Sequence, residues 1–197
     1  MLQQTTVATV TPRWEQFLER WPTLEDLAKA PREEVLHEWT GLGYYARARN
    51  LHRAAQVVVS EHGGWVPESY AELKKLPGLG DYTAAAIASI AFDEPVPVLD
   101  ANVERVLARL VAFDENPRQT KAKRALRELA GEMIDAKHPG DFNQAMMELG
   151  ATVCTPRAPA CDQCPVRKHC RAAELGRPED FPALPAKEPM KAVREVA

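Results

Sequence analysis

The sequence predicts an all-α fold on the basis of three observations. No segment shows the alternation of apolar and polar residues that a half-buried β-strand requires. Apolar residues recur at helical spacing instead, for example between 31 and 39. A capping box, which marks a helix start, is present at Ser69 with Glu72, and Thr23 with Asp26 resembles a second one. We therefore expect helices joined by short turns.

Start and stop signals divide the chain into nine predicted helices. Pro12 is placed in the first turn of the first helix, and the glycine pair at 63–64 ends the fourth. Pro95 and Pro97 require an extended connection over 93–99. The predicted helices span 12–21, 23–30, 31–39, 44–62, 69–76, 81–92, 100–112, 121–135 and 141–150.

The composition is that of an ordinary globular protein. The 197 residues are 45% hydrophobic and 27% charged, and a chain of this length can bury one good core or two small ones. No run of eighteen apolar residues and no signal-peptide pattern is present, so we expect a cytoplasmic protein without a membrane partner. The net charge of −3 argues mildly against nucleic acid. Basic residues nevertheless cluster at 47–53 and 121–127, which is compatible with either a solvated helix face or DNA.

The stretch from Leu76 to Thr83 predicts a turn between two helices, with Gly78 and Gly80 in the turn. Glycine lets the backbone approach another molecule closely, and the positive end of the helix that opens at Asp81 would attract a phosphate. An ordinary tight turn between packed helices matches the same residues, and short glycine motifs occur often by chance. The turn therefore indicates phosphate binding only together with the motifs that follow it.

The four cysteines, Cys154, Cys161, Cys164 and Cys170, have the spacing C-x6-C-x2-C-x5-C. Four thiolates this close together can surround one tetrahedral ion or one cubane cluster. Structural zinc usually takes two C-x2-C pairs set further apart, so the spacing favours iron–sulfur while leaving zinc open. In a chain without a secretion signal, this crowding indicates a metal or cluster site rather than disulfides.

Asp100 lies where the extended connection meets a predicted helix. As an N-cap, its carboxylate would accept hydrogen bonds from the N–H groups of the first turn. Those bonds favour the charged carboxylate, which an electrostatic catalyst also requires. Asp100 could therefore serve both purposes.

Three motifs, in one register with the cysteines, resemble the helix-hairpin-helix DNA glycosylases that carry an iron–sulfur cluster. They are LPGLGDYT at 76–83, VLDANV at 98–103 and NQAMMELG at 143–150. Within that superfamily, MLQQT at 1–5 and WTGLGYYAR at 39–47 look like adenine DNA glycosylases of the MutY type. The resemblance covers roughly residues 1 to 175.

The resemblance implies a two-lobed helix-hairpin-helix DNA glycosylase fold with a [4Fe-4S] cluster loop. A six-helix lobe would span 1–93, with the hairpin at about 69–92, and the cluster lobe would span 94–175. The tail, 176–197, has four prolines among charged residues and too little apolar content to fold alone, which predicts a linker or frayed terminus.

The family's functional residues carry over to matching positions. Asp100 would stabilise positive charge on the sugar as the bond to adenine breaks, and Asn102 would order that site. Gly78 and Gly80 would grip the DNA backbone. The four cysteines would ligate the cluster. The residues that match positions probing or wedging beside the opposing base are Gln3, Gln4, Thr5 and Tyr44.

Tyr82 bears on the type of reaction. Enzymes resembling endonuclease III have a lysine at the matching position, which attacks the sugar and leads to strand cleavage. Tyrosine at this position predicts a monofunctional glycosylase, which is why Tyr82 counts among the catalytic-site residues.

The resemblance also implies a glutamate, two residues before the position of Met1, that protonates adenine. Loss of a positioned acid costs about 10²- to 10⁴-fold in rate, so the 197-residue chain is expected to be impaired. The family's C-terminal domain for 8-oxoguanine is also expected beyond this chain. Met1 is accordingly expected to be an internal methionine.

The predicted function is base excision repair: removal of adenine opposite 8-oxoguanine or guanine in double-stranded DNA by a monomeric, cytoplasmic or nucleoid-associated enzyme. One alternative is a cluster-bearing DNA-binding module without excision activity. Further alternatives are an endonuclease III-like glycosylase and lyase, which Tyr82 disfavours, and a zinc-binding structural protein.

Overall fold

The computed structural model describes residues 1–185, and within that range the chain is helical with no β-strand. The all-α prediction is confirmed. No helix in this range is long and apolar enough to cross a membrane. The α-helices are α1 (Val7–Arg20), α2 (Leu24–Lys29), α3 (Arg32–Glu38), α4 (Ala46–Glu61), α5 (Tyr70–Leu73), α6 (Asp81–Phe92), α7 (Ala101–Val111), α8 (Thr120–Met133), α9 (Pro139–Thr152) and α10 (Arg171–Glu174).

The chain divides into two compact units, Met1–Val96 and Pro97–Ala197. The first unit contains α1 to α6, and the described part of the second contains α7 to α10. The sequence placed the boundary between residues 93 and 94, inside the same connection.

The first unit has two apolar clusters. Trp39 is only 1% exposed, and its ring packs edge-to-face on Phe17 with centroids 6.3 Å apart. The second cluster joins α4, α5 and α6, where alanine side chains permit close approach of the helices. Its members are Ala54, Val58, Leu73, Leu76, Ala84 and Ala88, and those of the first cluster are Val10, Phe17, Trp21, Leu27, Val35, Trp39, Leu42, Ala48 and Ala55.

The first helix begins earlier than predicted. α1 starts at Val7, and Pro12 lies inside it rather than in its first turn. Proline inside a helix lacks the N–H that would bond to the carbonyl four residues earlier. Val10 and Phe17, which are seven residues apart and so share a face, are both buried, and their burial favours one helix across Pro12. The predicted start at residue 12 is wrong.

The second unit is organised around α7, which packs against α8, α9 and α10. Leu107 is fully buried, and the apolar face of α7 packs against apolar residues of the neighbouring helices. Burial of this face is the main favourable term for the unit, because apolar burial contributes about 25 cal/mol per Å². The cluster of buried apolar residues around α7 consists of Leu99, Val103, Val106, Leu107, Leu126, Ala130 and Met146.

α9 approaches α7 closely at Gly150. A Cβ atom built on Gly150 would lie 2.7 Å from Cβ of Asn102 and 3.0 Å from its carbonyl oxygen. Both distances are too short for ordinary packing, so a side chain at position 150 would displace the first turn of α7.

The connection predicted over 93–99 contains no helix or strand, but it is not extended throughout, because Asp93 has a φ of +55° and the Val96 N–H bonds to the Glu94 carbonyl at 2.7 Å. It is fixed at its end by Asn143 of α9, which is 2% exposed and accepts a hydrogen bond from the Val98 N–H at 3.0 Å. A buried backbone N–H needs such a partner. Asn143 thereby sets the position of the residues that lead into Asp100.

The start of the predicted linker is folded onto the second unit. Phe181 is 9% exposed, and its carbonyl oxygen accepts a hydrogen bond from Arg109 Nε at 3.1 Å. Burial of this aromatic ring holds the chain as far as residue 181, further than its composition indicated. The last part of the predicted linker, 186–197, lies outside the described residues.

We predict that Asn143→Ala lowers the free energy of unfolding by about 1 to 3 kcal/mol, because the Val98 N–H is left buried and unpaired. Urea unfolding followed by circular dichroism measures this. Gln144→Ala, at the exposed neighbouring position, serves as the control and should change stability by less than about 0.5 kcal/mol. Equal stability of the Asn143 variant and the wild type would contradict the assigned contact.

We predict that Gly150→Ala destabilises the chain by about 1 to 3 kcal/mol, as overpacking does elsewhere. Gly131→Ala is the matched control, since it lies on an exposed face of α8 and its Cβ would come no closer than 4.0 Å to Pro97 Cγ. Removing a helical glycine there should stabilise by roughly 0.5 to 1 kcal/mol. The same urea titration compares the two variants, and a Gly150→Ala variant at least as stable as the wild type would refute the crowding at Gly150.

Candidate functional site

The predicted hairpin forms between α5 and α6. Leu73 and Leu76 are buried beneath it, and the Leu79 N–H bonds to the Leu76 carbonyl at 3.2 Å. Gly78 has a φ of +81°, and a Cβ there would lie 2.5 Å from Cβ of Asn50 on α4. Backbone conformation and close packing therefore both require glycine at position 78.

Gly80 differs from Gly78. Its φ of −81° and ψ of 179° are open to any residue, and a Cβ there would meet no atom of the chain within 4 Å. Because Gly80 has no side chain, no atom of the chain covers the first turn of α6 where its Cβ would lie. Tyr82, two residues further on, is 42% exposed.

A charged contact ties the two helices of the hairpin together. Lys74 Nζ lies 2.6 Å from the Asp81 carboxylate, which also accepts a hydrogen bond from the Tyr70 hydroxyl at 3.2 Å. The hydrogen bond to Asp81 raises the pKa of Lys74 above its ordinary value, and the phenol group of Tyr70 acts in the same direction. The contact is exposed, so it orients the hairpin more than it stabilises it.

The segment 1–5 and the loop before α4 contain the residues predicted to probe the opposing base. Gln4 and Tyr44 have φ values of +58° and +48°, in the left-handed region that non-glycine residues seldom adopt. Each costs of order 1 to 3 kcal/mol and persists only where the surroundings enforce it. Tyr44 is 64% exposed, so its ring is presented to solvent from a fixed backbone.

The same segment reaches the hairpin helix. Gln3 Nε2 donates to Thr83 Oγ1 on α6 at 3.1 Å, and Thr5 Oγ1 lies 3.4 Å from the Leu42 carbonyl. Within the first unit, Gln3 therefore contacts the hairpin helix, and Thr5 contacts the loop before α4.

In the second unit, Asp100 is the N-cap of α7, as predicted. One carboxylate oxygen accepts the Val103 N–H at 2.8 Å, and the other accepts Asn102 Nδ2 at 3.1 Å. Both oxygens are thus oriented by the helix that they cap. Asp100 remains partly exposed, which leaves the carboxylate accessible from outside.

Arg105 orients Asn102 from the opposite side. Its Nη2 donates to Asn102 Oδ1 at 2.9 Å and to the Gly150 carbonyl at 2.8 Å, while its Nε donates to the Cys154 carbonyl at 2.8 Å. Burial lowers the pKa of Arg105, with the charge of Arg109 acting in the same direction. A continuous set of hydrogen bonds therefore runs from Cys154 to Asp100.

Glu104 adds a second carboxyl group to this end of α7. Partial burial raises its pKa, the positive charge of Lys123 at 3.9 Å opposes the rise, and the charge of Asp100 adds to it.

The four cysteines line one pocket, together with apolar groups from the loop and α10. Each sulfur belongs to a partly exposed residue, and none is in a disulfide. Burial raises the pKa of the Cys161 thiol, the other three cysteines add to this, and Arg109 opposes it. A metal cluster would take these groups as thiolates, so its binding would displace the proton of Cys161.

Arg109 supports this pocket from the core. It is 2% exposed, and its Nη1 lies 3.3 Å from Cys154 Sγ and 2.7 Å from the Thr155 carbonyl. A buried guanidinium beside four thiolates offsets their negative charge. The four-thiol donor set and this counter-charge fit an iron–sulfur cluster.

Three arginines were missed as site residues by the sequence reasoning: Arg47, Arg105 and Arg109. The sequence places Arg47 in a basic cluster and in the motif at 39–47, but neither pattern indicates its role. Arg105 and Arg109 lie three and seven residues after Asn102, so Asn102, Arg105 and Arg109 share one face of α7. That spacing is the signal from which their shared site could have been predicted. Their carbonyl partners lie far away in the sequence and leave no local pattern.

Two family profiles match the chain. One, described as the HhH-GPD superfamily base excision DNA repair protein, covers residues 1–132, and the other, described as the iron–sulfur binding domain of endonuclease III, covers residues 154–170. The second match contains all four cysteines, so the prediction of a [4Fe-4S] cluster is confirmed over the zinc alternative.

Curated relatives named adenine DNA glycosylase match most of the chain. The rat protein is 51% identical over 94% of this chain, the human protein 53% over 88%, and the Mycolicibacterium smegmatis protein 45% over 90%. The chain spans 36%, 32% and 60% of the lengths of these three relatives, respectively.

Solved structures agree with the fold. A thermostable thymine-DNA glycosylase matches with a TM-score of 0.79 at 32% identity, covering 88% of this chain and 80% of that one. Endonuclease III in a non-covalent DNA complex matches with a TM-score of 0.72 at 28% identity, covering 89% and 80%. A hairpin of α5 and α6, an N-capping aspartate on α7 and a four-cysteine loop thus occur together in a chain that belongs to the HhH-GPD superfamily of base excision DNA repair proteins and carries an iron–sulfur cluster.

Proposed function

We propose that this chain is the helical catalytic part of a monofunctional adenine DNA glycosylase that removes adenine opposite 8-oxoguanine or guanine in duplex DNA. The observation that carries the proposal is the Asp100 carboxylate, oriented through both oxygens and still partly exposed. The name shared by the curated relatives supports the choice of adenine.

Asp100 acts on the sugar in this proposal. As the bond between C1′ and the adenine nitrogen breaks, the bonding electrons leave with the base, which takes up a proton, and positive charge develops on the sugar. A fixed carboxylate stabilises that charge without reorganising. Water then adds at C1′ and releases a proton, which leaves an abasic site and free adenine.

Asn102 and Arg105 position the carboxylate. Asn102 donates to Asp100 and accepts from Arg105, so its amide cannot rotate without losing both bonds. The cluster supplies structural order to the loop that begins at Cys154, whose carbonyl Arg105 contacts. Support for Asp100 therefore extends to the residues that hold the cluster.

The hairpin is the proposed contact to the DNA backbone. The uncovered side of Gly80 leaves room for a phosphate at the first turn of α6, where the helix dipole favours negative charge. Arg157 and Lys168, both exposed on the cysteine loop, are proposed as further phosphate contacts. A grip of this kind is needed because an adenine inside a duplex must be flipped out before its sugar bond can be reached.

The proposed readers of the opposing base are Gln3, Gln4, Thr5 and Tyr44. Tyr44 offers an exposed aromatic ring, which suits insertion beside a base, and Gln4 offers an amide that can hydrogen bond to a base edge. The partner is thus double-stranded DNA, and the protein acts on it as a monomer.

We predict that Asp100→Asn lowers the single-turnover rate of adenine excision opposite 8-oxoguanine by about 10²- to 10³-fold, because the developing charge loses its counter-charge. Asparagine is an equally good N-cap, so the fold should be preserved. Alkali-induced cleavage at the adenine measures excision by the 197-residue chain with its cluster assembled.

Asp141→Asn, the same change in the first turn of α9, is the control and should keep the wild-type rate. Excision that survives in Asp100→Asn would refute the role of Asp100. Binding of the lesion duplex without any excision by the wild type would contradict excision activity in the 197-residue chain.

We predict that the wild-type chain forms no covalent complex with DNA under borohydride, because Tyr82 has no amine to make a Schiff base with the sugar. Tyr82→Lys places an amine at that position and should yield a trapped complex, seen as a shifted band on a denaturing gel. Strong trapping by the wild type would instead indicate a glycosylase with lyase activity.

A further inference from the structure

One guanidinium bridges two segments of the first unit that are far apart in sequence. Nη1 of Arg47 donates to the carbonyl oxygens of Met1, at 2.7 Å, and Gln3. Its Nη2 donates to Thr5 Oγ1 at 2.9 Å and to the carbonyl of Leu42 at 2.8 Å. A single side chain in the first turn of α4 thus ties the segment 1–5 to the loop before the helix.

Two aromatic rings enclose the same guanidinium. Cζ of Arg47 lies 5.5 Å from the ring centroids of both Trp39 and Tyr44. Trp39 is buried and fixed, because its Nε1 donates to the Gly43 carbonyl at 3.1 Å. Tyr44 is exposed, so the stacked guanidinium is what connects its ring to the core.

The bonds of Arg47 fall beside the two strained residues. The bonds to Gln3 and Thr5 lie on either side of Gln4, and Nη2 donates to the Gly43 carbonyl at 3.2 Å, directly before Tyr44. Gln4 and Tyr44 both have positive φ values. Their conformations need an outside constraint, and the guanidinium supplies it at both places.

Arg47 uses its terminal N–H donors inside the protein, while its buried Nε has no hydrogen-bond partner among the described residues. Its two terminal nitrogens serve five acceptors, four of them backbone carbonyls and one the Thr5 hydroxyl. A side chain used in this way shapes a surface for other residues. Lysine cannot replace it, because an ammonium has neither the planar fork that spans these acceptors nor the flat face that stacks between two rings.

We propose that Arg47 is a positioning residue that holds Gln4 and Tyr44 in one fixed base-reading surface, and that this sets the preference for 8-oxoguanine over guanine opposite adenine. The inference rests on the proposed function, since it names the residue behind the substrate preference. The inference concerns discrimination between 8-oxoguanine and guanine, because Arg47 fixes the residues proposed to face the opposing base. Arg47 makes no hydrogen bond to the hairpin or to Asp100 among the described residues.

The first test needs no DNA. Hydrogen exchange of the free protein is compared between the wild type, Arg47→Lys, Arg47→Met and Arg32→Met, an exposed arginine at the start of α3 that serves as the control. Both Arg47 variants should exchange roughly tenfold or more faster in peptides covering 1–5 and 42–45, with wild-type rates elsewhere. Unchanged exchange in those peptides would refute the positioning role, and faster exchange throughout the chain would make Arg47 a residue of the core instead.

The second test measures binding to two duplexes in which a non-cleavable adenine analogue stands opposite 8-oxoguanine or guanine. The ratio of the two Kd values should fall towards one in both Arg47 variants, while the Kd for a fully paired duplex stays the same. Arg32→Met should keep the wild-type ratio. A wild-type ratio retained in Arg47→Lys and Arg47→Met, together with faster local exchange, would overturn the inference.

The two tests separate failure of the inference from failure of the proposed function. A wild-type chain that binds both lesion duplexes and the fully paired duplex equally would refute the proposed function and the discrimination with it. The exchange measurement would still decide whether Arg47 positions this surface.

Discussion

Guanidinium groups supply the hydrogen-bond donors that the irregular functional segments of this protein lack. Outside helices, turn hydrogen bonds satisfy only some of the backbone carbonyls, and burial of a carbonyl without a partner is costly. Arg47 satisfies carbonyls of residues 1–5 and of the loop before α4. Arg109 does the same for the cysteine loop. Each arginine comes from a rigid helix, so the irregular segment takes its shape from the helix that it contacts.

Close approach of backbones is the second requirement. Gly78 permits the hairpin to rest on Asn50, and Gly150 permits α9 to rest on Asn102. In both cases a glycine faces an asparagine on a neighbouring helix within one unit. A β-carbon at either position would collide with the asparagine that the glycine faces. The geometry of the hairpin and that of Asp100 therefore both depend on a glycine, which has no side chain.

Asp100 shows how stability and chemistry coincide in one residue. Capping α7 fixes the carboxylate and also satisfies an N–H group of the helix. The second oxygen is held by Asn102, which is held in turn by Arg105. A carboxylate fixed in this way can stabilise positive charge at a defined point without moving, and the cost of ordering it has already been met by folding.

Local signals in the sequence determined the helices, the hairpin turn and the cysteine loop. Capping residues, glycines and apolar spacing act over a few residues, so they can be recognised without knowing the fold. They predicted the wrong start for α1, because burial of Val10 and Phe17 outweighed the cost of Pro12 inside the helix. They also predicted an unfolded linker at Phe181, whose buried ring holds that segment against the second unit. Only the tertiary structure decided the roles of Arg47, Arg105 and Arg109. Their partners lie up to 72 residues away along the chain, and a hydrogen bond to a backbone carbonyl leaves no mark on the sequence of the residue that accepts it.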